Sequence, residues 1–561
     1  MSKTKNKDNL DHSLLPYDPE KFIFLPIGGC NEIGMNLNLF IHQNQILIVD
    51  LGISFHDKVG IDVLTPDPSF LVKYKHLIRG IVFTHAHEDH VGALPYLWSY
   101  LECPLYATPF TAQIIRNKIY DKMWKKRVEI HELDLNAKFK IGVFDLEFIT
   151  LTHSIPEPNA IKIQTSKGMV LHSGDWKLDP HPQIGKETNI TRLKELGEEG
   201  VLALICDSTN IFTEGTSGSE KDVYASLKEV MGRYTDERLI ISCFASNVAR
   251  VQSIIQIAHD LGRKTCLVGR SMHKMVGAAR ETGYLTDLPE LISEEEIKRY
   301  KPHELCILTT GSQGEYRAGL ARIVSKTHPQ IRLDENDVVI FSSRMIPGNE
   351  KAISSLQNQI IHQGAQIVTS LEEDIHTSGH PAREELRQMY DWVKPRFLIP
   401  VHGDARHLDA HGKFAYECGV DNVFIPENGS VVSLSHDEFD EIEVIPTSKW
   451  AFDGNRLIPL NSETVKERYK LSDEGACFVT IVVNDRNTLS FSPIVKFFGL
   501  VATPEEQQNL TQEIEFTITR ILETVSVTHK NVTSQIEIAI RKMIFGELNK
   551  KPVICVHLLE E

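Results

Sequence analysis

No two of the nine cysteines stand as Cys-x-x-Cys, and the odd, scattered set from Cys30 to Cys555 supplies neither a disulfide framework nor a thiolate zinc site. Any metal is left to imidazole and carboxylate ligands. Long apolar runs are missing as well. The N-terminus, MSKTKNKDNLDHSLLPYD, is polar, and the first apolar stretch, Phe22 to Ile27, is too short for a signal-peptide core or a membrane span. The expected compartment is therefore the cytoplasm, with no membrane partner. Positive charge is scarce: 60 Lys and Arg against 76 Asp and Glu leave a formal charge of −16. That balance argues against tight non-specific binding of a polyanion, but a local basic groove or bound metal ions can still supply positive charge at a site. Internal repeats and low-complexity tracts are absent too.

What the chain does have is length and apolar content. Its 561 residues, 41% hydrophobic and 24% charged, are those of a globular protein of two to four compact units. Residues 1–18, with Lys3, Lys5 and Lys7 among polar neighbours, read as a mobile tail. From 19 to 220, short β-rich runs such as Gln45 to Asp50, Gly80 to Thr84, Phe144 to Thr150 and Met169 to His172 end in loops dense in His, Asp and Gly. From 221 to 373 apolar strands alternate with helical segments, the pattern of a parallel α/β unit, and their ends run into FASN, TTGSQG and SSR, whose amides and hydroxyls suit phosphate.

The His-rich style returns over 374–455, so the α/β unit reads as an insertion into the first domain. A linker is expected at 456–470 and a small α/β domain at 471–561. In that last domain Thr503-Pro504-Glu505-Glu506 opens a helix, and a second helix from Ser534 to Phe545 is stopped by Gly546.

The densest chemistry is Thr84-His85-Ala86-His87-Glu88-Asp89-His90, between the apolar strand GIVFT and the helical run VGALPYLW. Alternate side chains of an extended segment share a face, so His85 and His87 can bind one ion, and the turn into the helix presents Asp89 and His90 to a neighbouring one. Two half-sites need completing from elsewhere. His153 in LTHSIPE, Asp175 in HSGDWK and His402 in PVHGDARH each follow an apolar strand and are available; any one of them alone is as well explained as a structural hydrogen-bonding residue.

With these motifs in order, and with Asp50 in VDLG, the chain resembles the metallo-β-lactamase superfamily and its β-CASP nucleases in particular. Cys206-Asp207-Ser208-Thr209, HTSGH at His376 to His380, and PVHG around His402 resemble the β-CASP motifs. FASN, TTGSQGE, IPGNE, HTSGHP and PVHGD resemble the bacterial ribonuclease J family most of all. The resemblance implies an α/β fold: a metallo-β-lactamase αββα sandwich, an inserted β-CASP α/β domain and a small C-terminal α/β domain.

It also implies two Zn2+ per chain, with His85, His87 and His153 on the first, Asp89, His90 and His402 on the second, and Asp175 bridging both. Asp50 would stand behind the ligands and orient them. Asp207 and His380 resemble a catalytic pair in which the carboxylate orients an imidazole that handles a proton near the leaving oxygen. Ser246, Asn247, His376, Thr377, Ser378, Gly379 and His380 resemble a pocket for a nucleotide 5′-phosphate; for any one of them, a capped helix start or a tight turn accounts for the residue equally well.

The activity so implied is hydrolysis of RNA phosphodiester bonds, 5′-to-3′ from 5′-monophosphate ends with additional endonuclease cleavage, in mRNA decay and rRNA maturation. The implied partners are RNA, further copies of the chain in a homodimer or homotetramer, and an RNA helicase or other RNA-decay proteins. A small-molecule metallo-hydrolase of the same superfamily would explain the zinc ligands but neither the insertion nor HTSGH. A non-catalytic RNA-binding subunit would explain the insertion but not a full ligand set.

Overall fold

Ile23–Gly28, Leu37–His42 and Ala203–Asp207 are buried at every position, as strands covered on both faces must be. At the sheet edges Phe439–Val444 is mostly exposed and Lys138–Ile141 alternates, with Lys138 and Lys140 outward and Ile141 buried. The computed structural model describes residues 14–436, 439–484, 488–524 and 529–560. These fall into two compact units: one reaches Ser54 and resumes over Leu64–Ser448, the other joins Phe55–Val63 to the residues from Lys449 onward.

The first unit contains two stacked sheets. One has eight strands, in the order Phe439–Val444, Ser430–Leu434, Ile23–Gly28, Leu37–His42, Gln45–Val49, Ile78–Val82, Leu105–Ala107 and Ile130–Glu132. The other has six, in the order Phe397–Val401, Ala203–Asp207, Gly168–His172, Asn159–Thr165, Phe144–Thr150 and Lys138–Ile141. Phe24, Phe40, Val49 and Val432 of the first share one core with Phe148, Ile161, Val170 and Ile205 of the second, so the inner faces close on each other. Leu193, Leu386, Met389 and Phe414 of three helices cover the outer face of the six-stranded sheet. Helices Leu94–Leu101 and Pro109–Ile119 pack beside the eight-stranded one. This is the expected αββα sandwich.

Asp207 lies beside Val401 in adjacent parallel strands, yet nearly two hundred residues separate them in sequence, about the size of a further domain. Part of that stretch builds a third, wholly parallel sheet in the order Leu291–Ile292, Lys264–Val268, Leu305–Thr309, Arg238–Ser242, Asp337–Phe341 and Gln366–Val368. The connections after Lys264–Val268 and Leu305–Thr309 leave in opposite directions, which opens a crevice at their carboxyl ends.

In the second unit Ala476–Val483 pairs antiparallel with Ile494–Phe498 and parallel with Val553–Glu560. Leu510, Ile514 and Ile518 of helix Pro504–Thr524 and Ile536, Ile540 and Ile544 of helix His529–Leu548 recur at helical spacing and meet Cys477, Val479 and Ile481 in a single core. Thr503 Oγ1 accepts from Glu506 N at 3.1 Å and the Glu506 carboxylate accepts from Ala502 N at 2.7 Å, which starts the first helix.

Four expectations are corrected. Within the supposed tail, Leu15 and Tyr17 are buried and the Tyr17 hydroxyl donates to Glu443 at 2.8 Å, so apolar burial anchors the chain before residue 18; residues 1–13 lie outside the described residues. Residues 456–470 are not a linker, because Arg456–Pro459 pairs with Lys449–Asp453 and helix Glu463–Glu474 follows, burying Val465. Gly546 does not stop its helix, which runs on to Leu548; a Cβ there would meet nothing within 4 Å. The helical run after the His-rich loop is broken into Glu88–Val91 and Leu94–Leu101.

Candidate metal centre

Five strand ends converge at one edge of the sandwich. Ile78–Val82 delivers the His85 to His90 loop, Phe144–Thr150 leads to His153, Gly168–His172 to Asp175, Ala203–Asp207 ends on Asp207, and Phe397–Val401 leads to His402. Asp50 and His402 hold left-handed backbone, at φ 64° and 55°, a conformation that non-glycine residues keep only where the surroundings impose it. The His-rich loop is itself clamped: Asn36 N and Leu51 N donate to the carbonyls of Asp89 and His90 at 2.9 and 2.6 Å. Gly52 permits that approach, since a Cβ there would lie 1.6 Å from the Asp89 carbonyl oxygen.

Seven ligand-type side chains meet in two overlapping groups. His85, His87, His153 and Asp175 form one and Asp89, His90, Asp175 and His402 the other, with the potential ligand atoms of each within 4.8 Å of one another; Asp207 and His380 make a third such group with Asp175 and His402. In the first, His87 Nδ1 lies 2.9 Å from His85 Nε2 and 3.0 Å from His153 Nε2. In the second, Asp175 Oδ2 is 3.2 Å from His90 Nε2, Asp89 Oδ2 is 3.1 Å from His402 Nε2, and Asp175 Oδ1 is 3.3 Å from His402 Nδ1. Asp175 is thus shared.

The protons around these rings say what the space between them needs. His153 Nδ1–H donates to the Gly379 carbonyl. Thr84 Oγ1 donates to Asp50 Oδ2 at 2.8 Å and so accepts from His85 Nδ1–H at 3.0 Å. A neutral imidazole carries one proton, so Nε2 of both rings is a bare lone pair facing inward. Burial pulls His85 and His153 well below the ordinary histidine value and takes His87 to about 4. Three neutral imidazoles therefore face each other, with the His85 and His153 lone pairs turned on His87 Nδ1, and neutral imidazole is the form in which histidine ligates a cation.

The second group is carboxylate-rich. Burial alone would lower His90, but Asp175, Asp89 and Asp50 raise it well above the usual value, and His402 is raised in the same way by Asp175, Asp207 and Asp89. A site that draws protons this strongly also draws a metal cation. The residues present fit a metal centre on both counts. Asp50 Oδ2 also takes His90 Nδ1 at 2.7 Å and Asp50 Oδ1 takes Thr84 N at 2.8 Å, so it holds the ligands from behind.

Beside the cluster, Asp207 Oδ2 accepts from His380 Nδ1 at 2.7 Å and its other oxygen from Thr209 N and Oγ1 at 2.9 and 2.7 Å. Burial opposes charge on both partners, yet each holds the other ionised: Asp207 sits well below the carboxylate range and His380 above the histidine value. The His380 side chain keeps 22% exposure, so its ring reaches the open side of the site.

The remaining candidates divide. Asn247 caps helix Val248–Asp260 through Arg250 N at 2.9 Å and donates to Glu220 at 3.0 Å. Thr377 Oγ1 donates to the Ser217 carbonyl, and Ser378 Oγ accepts from His380 N at 3.2 Å. These three side chains, and Gly379 through its carbonyl, already hold the framework. Ser246 lines a cleft of about 800 Å3 at the crevice of the parallel sheet, whose walls carry Lys118, Arg270, Lys274, Arg317 and Arg322 against Glu88, Glu294 and Glu315. His376 Nδ1 is buried without a hydrogen-bond partner among the described residues, and burial, with Arg250 nearby, takes the ring to about 3.

Sequence reasoning missed the support beneath that loop. Arg250, fully buried, makes paired bonds of 3.0 and 2.9 Å to Glu220, and its Nη1 donates to Ser342 and to the Ile375 carbonyl at 2.8 Å, one residue before His376. A lone Arg within an amphipathic helix gives no local signal of this.

Comparison with known proteins agrees with the architecture. Residues 59–192 match the beta-lactamase superfamily domain, 236–360 the ribonuclease J beta-CASP domain, 366–426 the Zn-dependent metallo-hydrolase RNA specificity domain, and 463–561 the ribonuclease J C-terminal domain. Ribonuclease J of Sinorhizobium meliloti is 37% identical over 549 residues, covering 96% of this chain and 97% of the relative. The chain belongs to the ribonuclease J family.

Ribonuclease J of Helicobacter pylori is 35% identical over 95% of this chain and 78% of its own, and ribonuclease J 1 of Streptococcus pyogenes 34% over 96% and 97%. A solved structure from Enterococcus faecalis, titled a protein of unknown function, shares the fold at a TM-score of 0.52 and 16% identity, over 74% of this chain and all of its own. As a ribonuclease J family member the protein is a nuclease of metallo-hydrolase type, and the His/Asp cluster could hold a metal ion. Among the described residues no helix is long and apolar enough to cross a membrane.

Proposed function

We propose that the protein is a two-zinc ribonuclease that hydrolyses RNA phosphodiester bonds, removing nucleotides 5′ to 3′ from 5′-monophosphate ends and also cutting internally. The observation that carries this reading is Asp175, shared by two ligand groups, with the Asp207–His380 pair beside them. Zinc ions held there would supply Lewis acidity at the phosphate and bring water toward a neutral pKa.

The chain's own residues do the rest. His85, His87 and His153 would hold one ion and Asp89, His90 and His402 the other, with Asp175 available to both, while Asp50 fixes His90. Asp207 keeps His380 protonated, and His380 delivers that proton to the leaving oxygen. Ser246, Asn247 and His376 to Gly379 are assigned to the 5′-phosphate; Ser246 lines the cleft that carries the basic side chains, and His376 Nδ1 is left without a partner among the described residues. The metallo-β-lactamase domain is assigned to the first unit on either side of the β-CASP insertion at 221–373, and the C-terminal domain begins at Lys449, where the second unit resumes.

In this reading the enzyme works in the cytoplasm in mRNA decay and rRNA maturation, as a homodimer or homotetramer, beside an RNA helicase or other RNA-decay partners; family membership is the support. Two 5′-labelled RNAs, one monophosphorylated and one triphosphorylated, test the reading. Faster release of mononucleotides from the monophosphate is expected; equal rates would remove the pocket assignment.

A further inference from the structure

The twelve residues from Arg116 to Arg127 reverse the sign of the whole chain. They carry Arg116, Lys118, Lys122, Lys125, Lys126 and Arg127 against Asp121 alone, in a protein of formal charge −16. The ends of the run are neutralised: Arg116 pairs with Glu132 at 2.8 Å, Arg127 with Glu102 at 2.6 Å and Lys118 with Glu88 at 2.5 Å. Among the described residues, no carboxylate lies within ion-pair distance of Lys122, Lys125 or Lys126, so the unneutralised charge is concentrated in the middle.

That middle also exposes flat and flexible apolar surface. Tyr120 is 68% exposed and Met123 fully so, with Lys125 Nζ lying 4.1 Å from the centre of the Tyr120 ring. Behind them Trp124 stacks on Trp98 at 4.7 Å, which fixes the segment to the fold. Exposed rings interleaved with lysines that no carboxylate neutralises, Lys125 Nζ donating only to the Tyr120 carbonyl, match what a single strand of nucleic acid offers, a base face and a phosphate at each step. The patch is also continuous with the site. Lys118 ends helix Pro109–Ile119, lines the 800 Å3 cleft, and holds Glu88 of the metal-bearing loop.

We infer that the surface around Tyr120, Lys122, Met123, Lys125 and Lys126 is a docking track for single-stranded RNA, engaging the part of the substrate that extends outward past Lys118. It rests on the proposed ribonuclease activity and adds a second hold on the strand outside the metal centre. Its contribution is grip on long substrates and not chemistry.

The test is binding and cleavage by the metal-loaded full chain. Probes are a dinucleotide and an RNA of roughly thirty nucleotides, both 5′-monophosphorylated. The triple variant K122A/K125A/K126A is expected to weaken binding of the long RNA about tenfold or more and to reduce the salt dependence of log Kd by about 2, at roughly 0.7 for each phosphate that a lysine no longer neutralises. Dinucleotide cleavage stays at the wild-type rate, and K122R/K125R/K126R restores long-RNA binding. Y120A, which removes a stacking platform, weakens long-RNA binding roughly fivefold or more with the salt slope unchanged.

Unchanged long-RNA binding and slope in the triple variant, in an enzyme that still cleaves RNA, overturns the track alone. Equal loss on both probes does the same, since it shows a structural fault. Loss of binding to phosphatidylserine vesicles with RNA binding intact assigns the patch to a membrane and overturns it too. Failure of the wild-type chain to bind or cleave either RNA overturns the ribonuclease reading as well.

Discussion

The carbonyl of Gly379 accepts the Nδ1–H of His153, so a loop beside the parallel-sheet insertion decides that the His153 Nε2 lone pair faces His87 and the rest of the His/Asp cluster. A Cβ on Gly379 would fall 2.7 Å from His153 Cε1 and 2.9 Å from Ser154 Oγ. Gly379→Ala is therefore expected to displace the His153 ring and to cost roughly 10- to 100-fold in metal affinity or activity, as losing an outer partner of a ligating histidine does. Metal titration of the variant against wild type, with unfolding followed in parallel, checks it; unchanged metal affinity would contradict the link.

Asp207→Asn keeps the size of the side chain but removes the charge that holds His380 protonated at 2.7 Å. The expected outcome is a kcat lower by roughly 10²- to 10⁴-fold, the usual contribution of a positioned acid or base. His380→Ala should fall as far with His85, His87 and His153 still in place. Single-turnover cleavage with metal analysis of the same samples separates lost proton transfer from lost metal.

His411 is buried between Ser208 Oγ at 2.8 Å and the Tyr390 hydroxyl at 2.5 Å, and burial takes its ring down to about 4. The unfolded chain binds that proton near the ordinary value of 6.5 while the folded chain refuses it, so stability is present above 6.5 and is lost as pH falls toward 4. Between pH 7.5 and 5 the expected loss is about 2 kcal/mol. His411→Gln, which does not titrate, should flatten that part of the stability profile measured by denaturant unfolding. Equal pH slopes would show that His411 is not the group responsible.

Glu220 and Arg250 are a buried pair, and removing one partner leaves a buried charge alone. Glu220→Gln is expected to destabilise the first unit by roughly 3 to 5 kcal/mol. Because Arg250 also holds the Ile375 carbonyl, nuclease activity should fall below what the unfolded fraction explains. A double-mutant cycle with Arg250→Met measures the coupling, and additive effects would contradict it.

How much was legible in the sequence follows from how local each signal was. The His85 to His90 loop is six residues at a strand end, so spacing alone exposed two half-sites, and the structure brings His153, Asp175 and His402 to within 4.8 Å groups with them. Strands Phe144–Thr150 and Ala476–Val483 were readable from apolar runs bounded by polar turns. The hairpin of Ser54–Lys58 and Ile61–Pro66 was not, because its turn puts Val59 at φ 49° where Asn or Asp would have marked it. Leu15 and Tyr17 were lost among polar neighbours, and Arg250 makes its bonds to residues 30 to 125 positions away, which no window along the chain displays.

The central claim is a centre of two metal ions acting on RNA, and Asp175 is the one residue both ion sites share. Zinc per chain should therefore be measured together with cleavage of a 5′-monophosphate RNA, for wild type and Asp175→Ala. The account predicts two zinc ions per wild-type chain, with both zinc and cleavage lost in the variant. Full cleavage by a chain holding no metal, or by Asp175→Ala, would contradict it.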